Sequence, residues 1–127
     1  MKVFCLEAGQ SNLSQKRLIS PFPVPLLNRR NGHLLTELFF CGRHFGITLI
    51  LTTQKLLAVP SGMLTNCSQM AVFRLKTKRE LDGFLDNVNS IDDLPQKYRF
   101  ATEKQFSFLC MDFTKNKAYR CFEEELG

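Results

Sequence analysis

HLLTELFFCGRHFGITLILTTQ, residues 33–54, divides into three parts. His33 to Cys41 is apolar with Glu37 set into it, and Leu34, Leu35, Leu38 and Phe39 fall on one helical face. Gly42 then offers a stop, because a residue without Cβ readily takes the left-handed conformation that closes many helices. Ile47 to Leu51, ITLIL, has no polar alternation, the mark of a strand covered on both faces in a parallel sheet. Thr52, Thr53 and Gln54 follow directly. In open α/β sheets ligands sit outside the carboxyl ends of strands, so Gln54 falls where a polar side chain would meet a substrate.

Downstream, Pro60-Ser61-Gly62 reads as a turn and Met70 to Leu75, MAVFRL, as a second short strand. Thr77-Lys78-Arg79-Glu80 has the spacing of a capping box, in which Thr77 reaches the Glu80 amide and Glu80 reaches back. Leu81, Phe84, Leu85 and Val88 then repeat at helical intervals, which predicts an amphipathic helix from about Lys78 to Val88. Asp92-Asp93-Leu94-Pro95 breaks the chain before a short helical turn. Gln105 to Phe113 and Ala118 to Phe122 flank Thr114-Lys115-Asn116-Lys117 as a terminal β-hairpin, and Glu123-Glu124-Glu125 reads as a solvated acidic tail.

Upstream the pattern fades. Val3 to Leu6 has the composition of a short strand, while residues 1–27 otherwise show no core period. Pro21, Pro23 and Pro25 alternate with Phe22 and Val24; each fixes φ and removes a donor, so this piece suits a linker and not an interior strand. The expectation is a poorly structured or unrelated segment over 1–27 in front of one folded domain over 28–127. Asn28-Arg29-Arg30-Asn31-Gly32 is a basic loop or helix entry.

Composition narrows the class. A chain of 127 residues can bury a modest single core. The net charge of +5 is concentrated in front, since residues 1–32 hold five Lys/Arg against Glu7 alone. Such a balance is compatible with nucleic acid without requiring it. Five Cys form no Cys-x-x-Cys pair, and His33 and His44 add no ligand spacing, which argues against zinc. Cys41, Cys110 and Cys121 read as small core residues in a reducing compartment. No apolar run approaches the ~20 residues of a membrane helix, and Glu7, Gln10 and Asn12 interrupt any signal-peptide core.

Gly42-Arg43-His44 followed ten residues on by Gln54, then the Pro60 loop, Asn66 and the second strand, resembles the C-terminal half of a P-loop ATPase core. The likeness is to the FtsK/HerA superfamily, specifically DNA-packaging ATPases of large DNA viruses and mobile elements, and covers about residues 28–122. It implies that 28–127 is the C-terminal part of an ATPase-like domain with an α/β fold: the C-terminal half of a RecA/FtsK-like sheet with covering helices and the terminal hairpin. It also implies ATP and Mg²⁺ as ligands of the intact family, double-stranded DNA and neighbouring subunits of a ring as partners, no membrane partner, and an intracellular site of action, in host cytoplasm or nucleus if viral. In the family a Gln at the end of the strand beside the Walker B strand senses the γ-phosphate or positions water, and Gln54 matches it. Arg43, or Arg74 in the second strand, would be the arginine finger or sensor; a surface ion pair is the competing account of each. Asn66 matches an Asn after the Pro loop, or simply caps a helix.

Phosphoryl transfer also needs a Gly-rich loop with Lys, and an acid for Mg²⁺. The sequence contains no Gly-x-x-x-x-Gly-Lys-[Ser/Thr], and no Asp or Glu between Glu7 and Glu37, where the Walker B acid would fall. The expectation is a truncated or separately encoded C-terminal part, inactive alone, whose strand Ile47–Leu51 wants parallel neighbours that the chain does not supply. The alternative is a small non-catalytic basic module that associates with other molecules or nucleic acid. There Phe106 and Phe108 would share a hairpin face with Lys115, Lys117 and Arg120 close by, although such Phe also suit a core.

Overall fold

The structure is a computed structural model and describes residues 3–6, 16–21, 37, 39–45 and 47–127. Its strands are β1 (Val3–Leu6), β2 (Lys16–Pro21), β3 (Ile47–Thr53), β4 (Gln69–Phe73), β5 (Phe108–Asp112), β6 (Lys117–Arg120) and β7 (Glu124–Leu126). Among the described residues three α-helices have both ends in view: α1 (Ser61–Asn66), α2 (Lys78–Asn87) and α3 (Leu94–Ala101). The strands form one sheet in the order β2-β3-β1-β4-β5-β6-β7. Among the described residues β2 and β3 run parallel, and the other neighbouring pairs are antiparallel. The fold is therefore a mixed α/β sheet whose last four strands make an antiparallel run.

The β3 strand has a parallel neighbour on one side only, in register from Lys16↔Ile47 to Pro21↔Thr52, and antiparallel β1 on the other. This corrects two expectations. The chain does supply a parallel neighbour, and residues 1–27 contribute two strands in place of standing apart from the sheet. Strand pairing is made by the backbone, so segments without a core period can still complete a ladder. Pro21 is the last residue of β2, a strand at the end of the sheet order, a position where proline is tolerated. The expected linker beyond Pro21 and the basic segment 28–32 lie outside the described residues.

Coverage of β3 is uneven. Leu49, Leu51 and Thr53 are buried on one face, whereas Ile50 and Thr52 on the other are half-buried beside buried Thr48. The first face joins Met70 and Val72 of β4, Leu109 and Met111 of β5 and Ala118 of β6 in a single core with Phe84, Leu94 and Tyr98 from the helices.

Local signals place the helices. Residues 39–41 are helical and a 3-10 turn over Gly42–Phe45 follows, so the helix does end at Cys41. At α2, Thr77 Oγ1 accepts from the Glu80 N–H at 3.2 Å and donates to Glu80 Oε2 at 3.2 Å, the two side chains closing the box on each other. Phe84 is fully buried and Leu81 and Leu85 pack beside it. The turn expected after Pro95 is a complete helix, α3, entered through Asp93 at φ 54°. It is anchored by Tyr98, whose Oη accepts from the Leu75 N–H at 2.6 Å just past β4.

The hairpin of β5 and β6 turns on Asp112. Its Oδ1 accepts from the N–H groups of Thr114 at 3.0 Å and Lys115 at 3.2 Å, and from the Thr114 hydroxyl. Burial pushes this carboxyl up, but those hydrogen bonds outweigh it and hold Asp112 below its ordinary value. The acidic tail is exposed as expected but is no free tail: Glu124–Leu126 is a strand, with Arg120 opposite Glu124, Lys117 reaching Glu125 and Leu126 against the core.

Candidate functional site

Gln54 follows β3 directly and is exposed. Thr53 produces this placement: its Oγ1 accepts from the Lys55 N–H and donates to the Lys55 carbonyl, each at 3.2 Å, turning the backbone so that Gln54 stands out from the strand end. Gln54 is not beside the second strand as expected, because β1 lies between β3 and β4. Those two strands nevertheless run in the same direction, each antiparallel to β1, so their carboxyl ends share one edge of the sheet.

Arg74 stands at that edge. It was expected inside the second strand, but β4 ends at Phe73 and Arg74 is exposed just beyond it. Two strand spacings, about 10 Å, separate its backbone from that of Gln54. Its charge reaches Tyr98, a minor influence on a phenol that burial pushes above its ordinary value. Arg43 is not part of this group. It lies in the turn leading into the opposite end of β3, and a seven-residue strand puts about 20 Å between the two ends. His44 is exposed in the same turn. Asn66 caps no helix: it is the last residue of α1, and its Nδ2 donates to the Gly62 carbonyl at 2.8 Å within that helix.

The strand ends beside Gln54 are Ser20-Pro21 of β2, Val3 of β1 and Phe73 of β4, and none is an acid. Among the described residues no group of three His, Cys, Asp or Glu is arranged to hold a metal, and no helix is long and apolar enough to cross a membrane. An arrangement of Gln54 and Arg74 can orient a water molecule or phosphate oxygen. Among the described residues at this edge there is no carboxylate to hold Mg²⁺, a part that phosphoryl transfer also uses.

A second feature was legible only in part in the sequence. Phe106 and Phe122 are 83% and 67% exposed, at the ends of β5 and β6 near Arg120. Phe73, Phe108 and Phe122 stack in series with ring centroids 4.9 Å apart at each step. The Arg120 guanidinium lies 4.9 Å over the Phe100 ring. Phe106 and Phe108 do not share a hairpin face, since Phe106 precedes β5 with φ 63°. Lys115 and Lys117 lie at the other end of the hairpin, engaged with Asp112 and Glu125. The one signal available was the Phe spacing, which could not separate core from surface.

No protein-family model, curated protein or solved structure matches the chain.

Proposed function

We propose that the chain carries the sensor part of a DNA-packaging ATPase core of the FtsK/HerA type, a partial P-loop fold. The supporting observation is the exposed Gln54 at the carboxyl end of β3, with parallel β2 in the position the family gives its acid-bearing strand. Gln54 orients the attacking water, and Arg74, on the same edge, faces the developing charge. Arg43, at the far end of β3, suits a nucleotide held by a neighbouring subunit of a ring. β2 reads KRLISP and brings no carboxylate, so the Mg²⁺-holding acid and the phosphate loop come from another segment or polypeptide. ATP, Mg²⁺ and double-stranded DNA are then ligands of the assembled enzyme.

The chain alone is expected to show no Mg²⁺-dependent ATP hydrolysis. Mixed with a polypeptide from the flanking DNA that encodes Gly-x-x-x-x-Gly-Lys-[Ser/Thr] and an acid-ended strand, it should gain turnover. Gln54→Ala should then lower kcat with little change in nucleotide affinity, because water positioning acts in the transition state. Turnover by the isolated chain that vanishes in Gln54→Ala would overturn the division of labour. A loss of nucleotide affinity at unchanged kcat would make Gln54 a ground-state contact.

The exposed Phe106 and Phe122 favour a second reading, a non-catalytic interaction module. Purified chain that captures a partner through that end, while no flanking ATPase segment exists, would establish it in place of the first.

A further inference from the structure

We infer that the outer edge of β7 and the aromatic hollow beside it form a docking site for an extended peptide of alternating basic and apolar residues, added to the sheet as a further strand. The site lies five strand spacings from Gln54, about 24 Å, and stands apart from the ATPase reading.

Three observations converge there. First, β7 is last in the sheet and, among the described residues, pairs only with β6, so its other side offers backbone donors and acceptors to an incoming strand. Second, an open hollow of about 330 Å³ adjoins that edge, lined by Lys104, Gln105, Phe106, Ser107, Arg120 and Glu124. Phe106, one of the lining residues, stands in solvent. Third, the backbone there is strained. Glu123 N–H donates to the Arg120 carbonyl at 3.1 Å, closing a turn with Cys121 at φ 54° and Phe122 at φ 70° in its centre. Asn and Gly ordinarily fill such positions, and Phe106 at φ 63° repeats the anomaly. Bulky residues held in left-handed backbone and also exposed are doubly unfavourable, a combination that gathers at ligand sites.

Charge selects the occupant. Glu123, Glu124 and Glu125 line the edge. Glu124 meets Arg120 at 3.7 Å and Glu125 meets Lys117 at 2.9 Å, but both carboxylates are more than half exposed and such pairs exchange readily. Glu123 has no ion-pair partner among the described residues. A second copy paired antiparallel through β7 would set carboxylate against carboxylate, and a nucleic acid would set phosphate against them. A basic strand meets neither obstacle. Glu124 and Leu126 share one face of β7 and Glu125 the other, so alternating peptide side chains would reach Glu125 on one side and the hollow on the other.

The test uses the full chain and a fluorescein-labelled peptide of alternating Lys and Val with one Phe at its centre. Saturable binding is expected, weakened at least about tenfold when alternate peptide amides are N-methylated, since each lost strand bond is worth roughly a factor of five and more than one is lost. Phe106→Ala and Glu123→Lys, both at exposed positions lining the hollow, should each weaken it while leaving the circular dichroism spectrum unchanged. Absence of saturation, equal binding of the N-methylated peptide, or equal binding of a Glu–Val peptide would overturn the proposal. So would a concentration-dependent dimer lost in Glu125→Lys, which assigns the edge to a second copy, or an oligo-dT that competes at Phe106 and Phe122, which assigns it to nucleic acid.

Discussion

Tyr98 joins two elements through one atom. Its Oη is the acceptor for Leu75 N–H, and Tyr98→Phe would strand that donor in a half-buried setting. A loss of about 1–2 kcal/mol in urea unfolding is expected, with α3 retained. Asp112 makes a pH-dependent contribution. Its folded carboxyl sits below the ordinary value of 3.8, so it stabilises the fold above that pH, and the contribution fades as pH falls through the folded value. Asp112→Asn should flatten the acid side of the stability–pH curve; an unchanged slope would mean the turn's hydrogen bonds do not favour the ionised form. Among the cysteines, burial pushes Cys110 up to about 11 whereas Cys41 is exposed. Native-state alkylation near pH 8, read by mass spectrometry, should label Cys41 and spare Cys110.

The α2 helix is legible in the sequence because everything it needs is local: Thr77 at the start, Glu80 three residues on, and Leu81, Phe84, Leu85 and Val88 in period. Thr77→Ala should lower stability by about 1 kcal/mol through loss of the Glu80 N–H acceptor. Gly83 adds a finer test. A Cβ there would lie 2.5 Å from Leu57 Cδ2, the free tip of an exposed side chain that can rotate away. Gly83→Ala should therefore be neutral to stabilising by about 0.5–1 kcal/mol in the same unfolding assay, because the helix gains more than Leu57 loses. Strands with an apolar run are legible as strands but not by partner, and Lys16–Pro21 and Glu124–Leu126, which lack one, are not legible at all. ITLIL announces β3 and Gln54 at its end, yet nothing local to Ile47–Thr53 says that Lys16–Pro21 or Val3–Leu6 lies beside it. Glu123-Glu124-Glu125 misleads for a related reason, since its neutralising partners Arg120 and Lys117 come from across a turn.

At the scale of the molecule, β1 is the keystone of the sheet order. Val3–Leu6 pairs with Leu51 through Cys5 on one side and with Met70 through Cys5 on the other. Without it, β2 and β3 lose their hydrogen-bonded link to the antiparallel run β4 to β7. Deleting residues 1–6 should abolish amide-exchange protection in residues 47–53 while residues 108–112 keep theirs. Retained protection at 47–53 would show that core packing of Leu49 and Leu51 alone holds β3 in place. The candidate site depends on the same strand, because the spacing of Gln54 from Arg74 is the width of β1.

That central strand imposes an order of events during synthesis. Val3–Leu6 leaves the ribosome before either of its neighbours exists, and Phe73 of β4 is made roughly 70 residues later. At bacterial or eukaryotic elongation rates the wait for β3 is about 2–9 s, during which an apolar segment, VFCL, is in the open with no ladder to enter, and its β4 side stays unpaired for about 3–14 s. The nascent chain is thus a client for any holding factor that meets emerging apolar segments, and codon changes that slow translation between β1 and β4 would lower the folded yield without touching the finished structure.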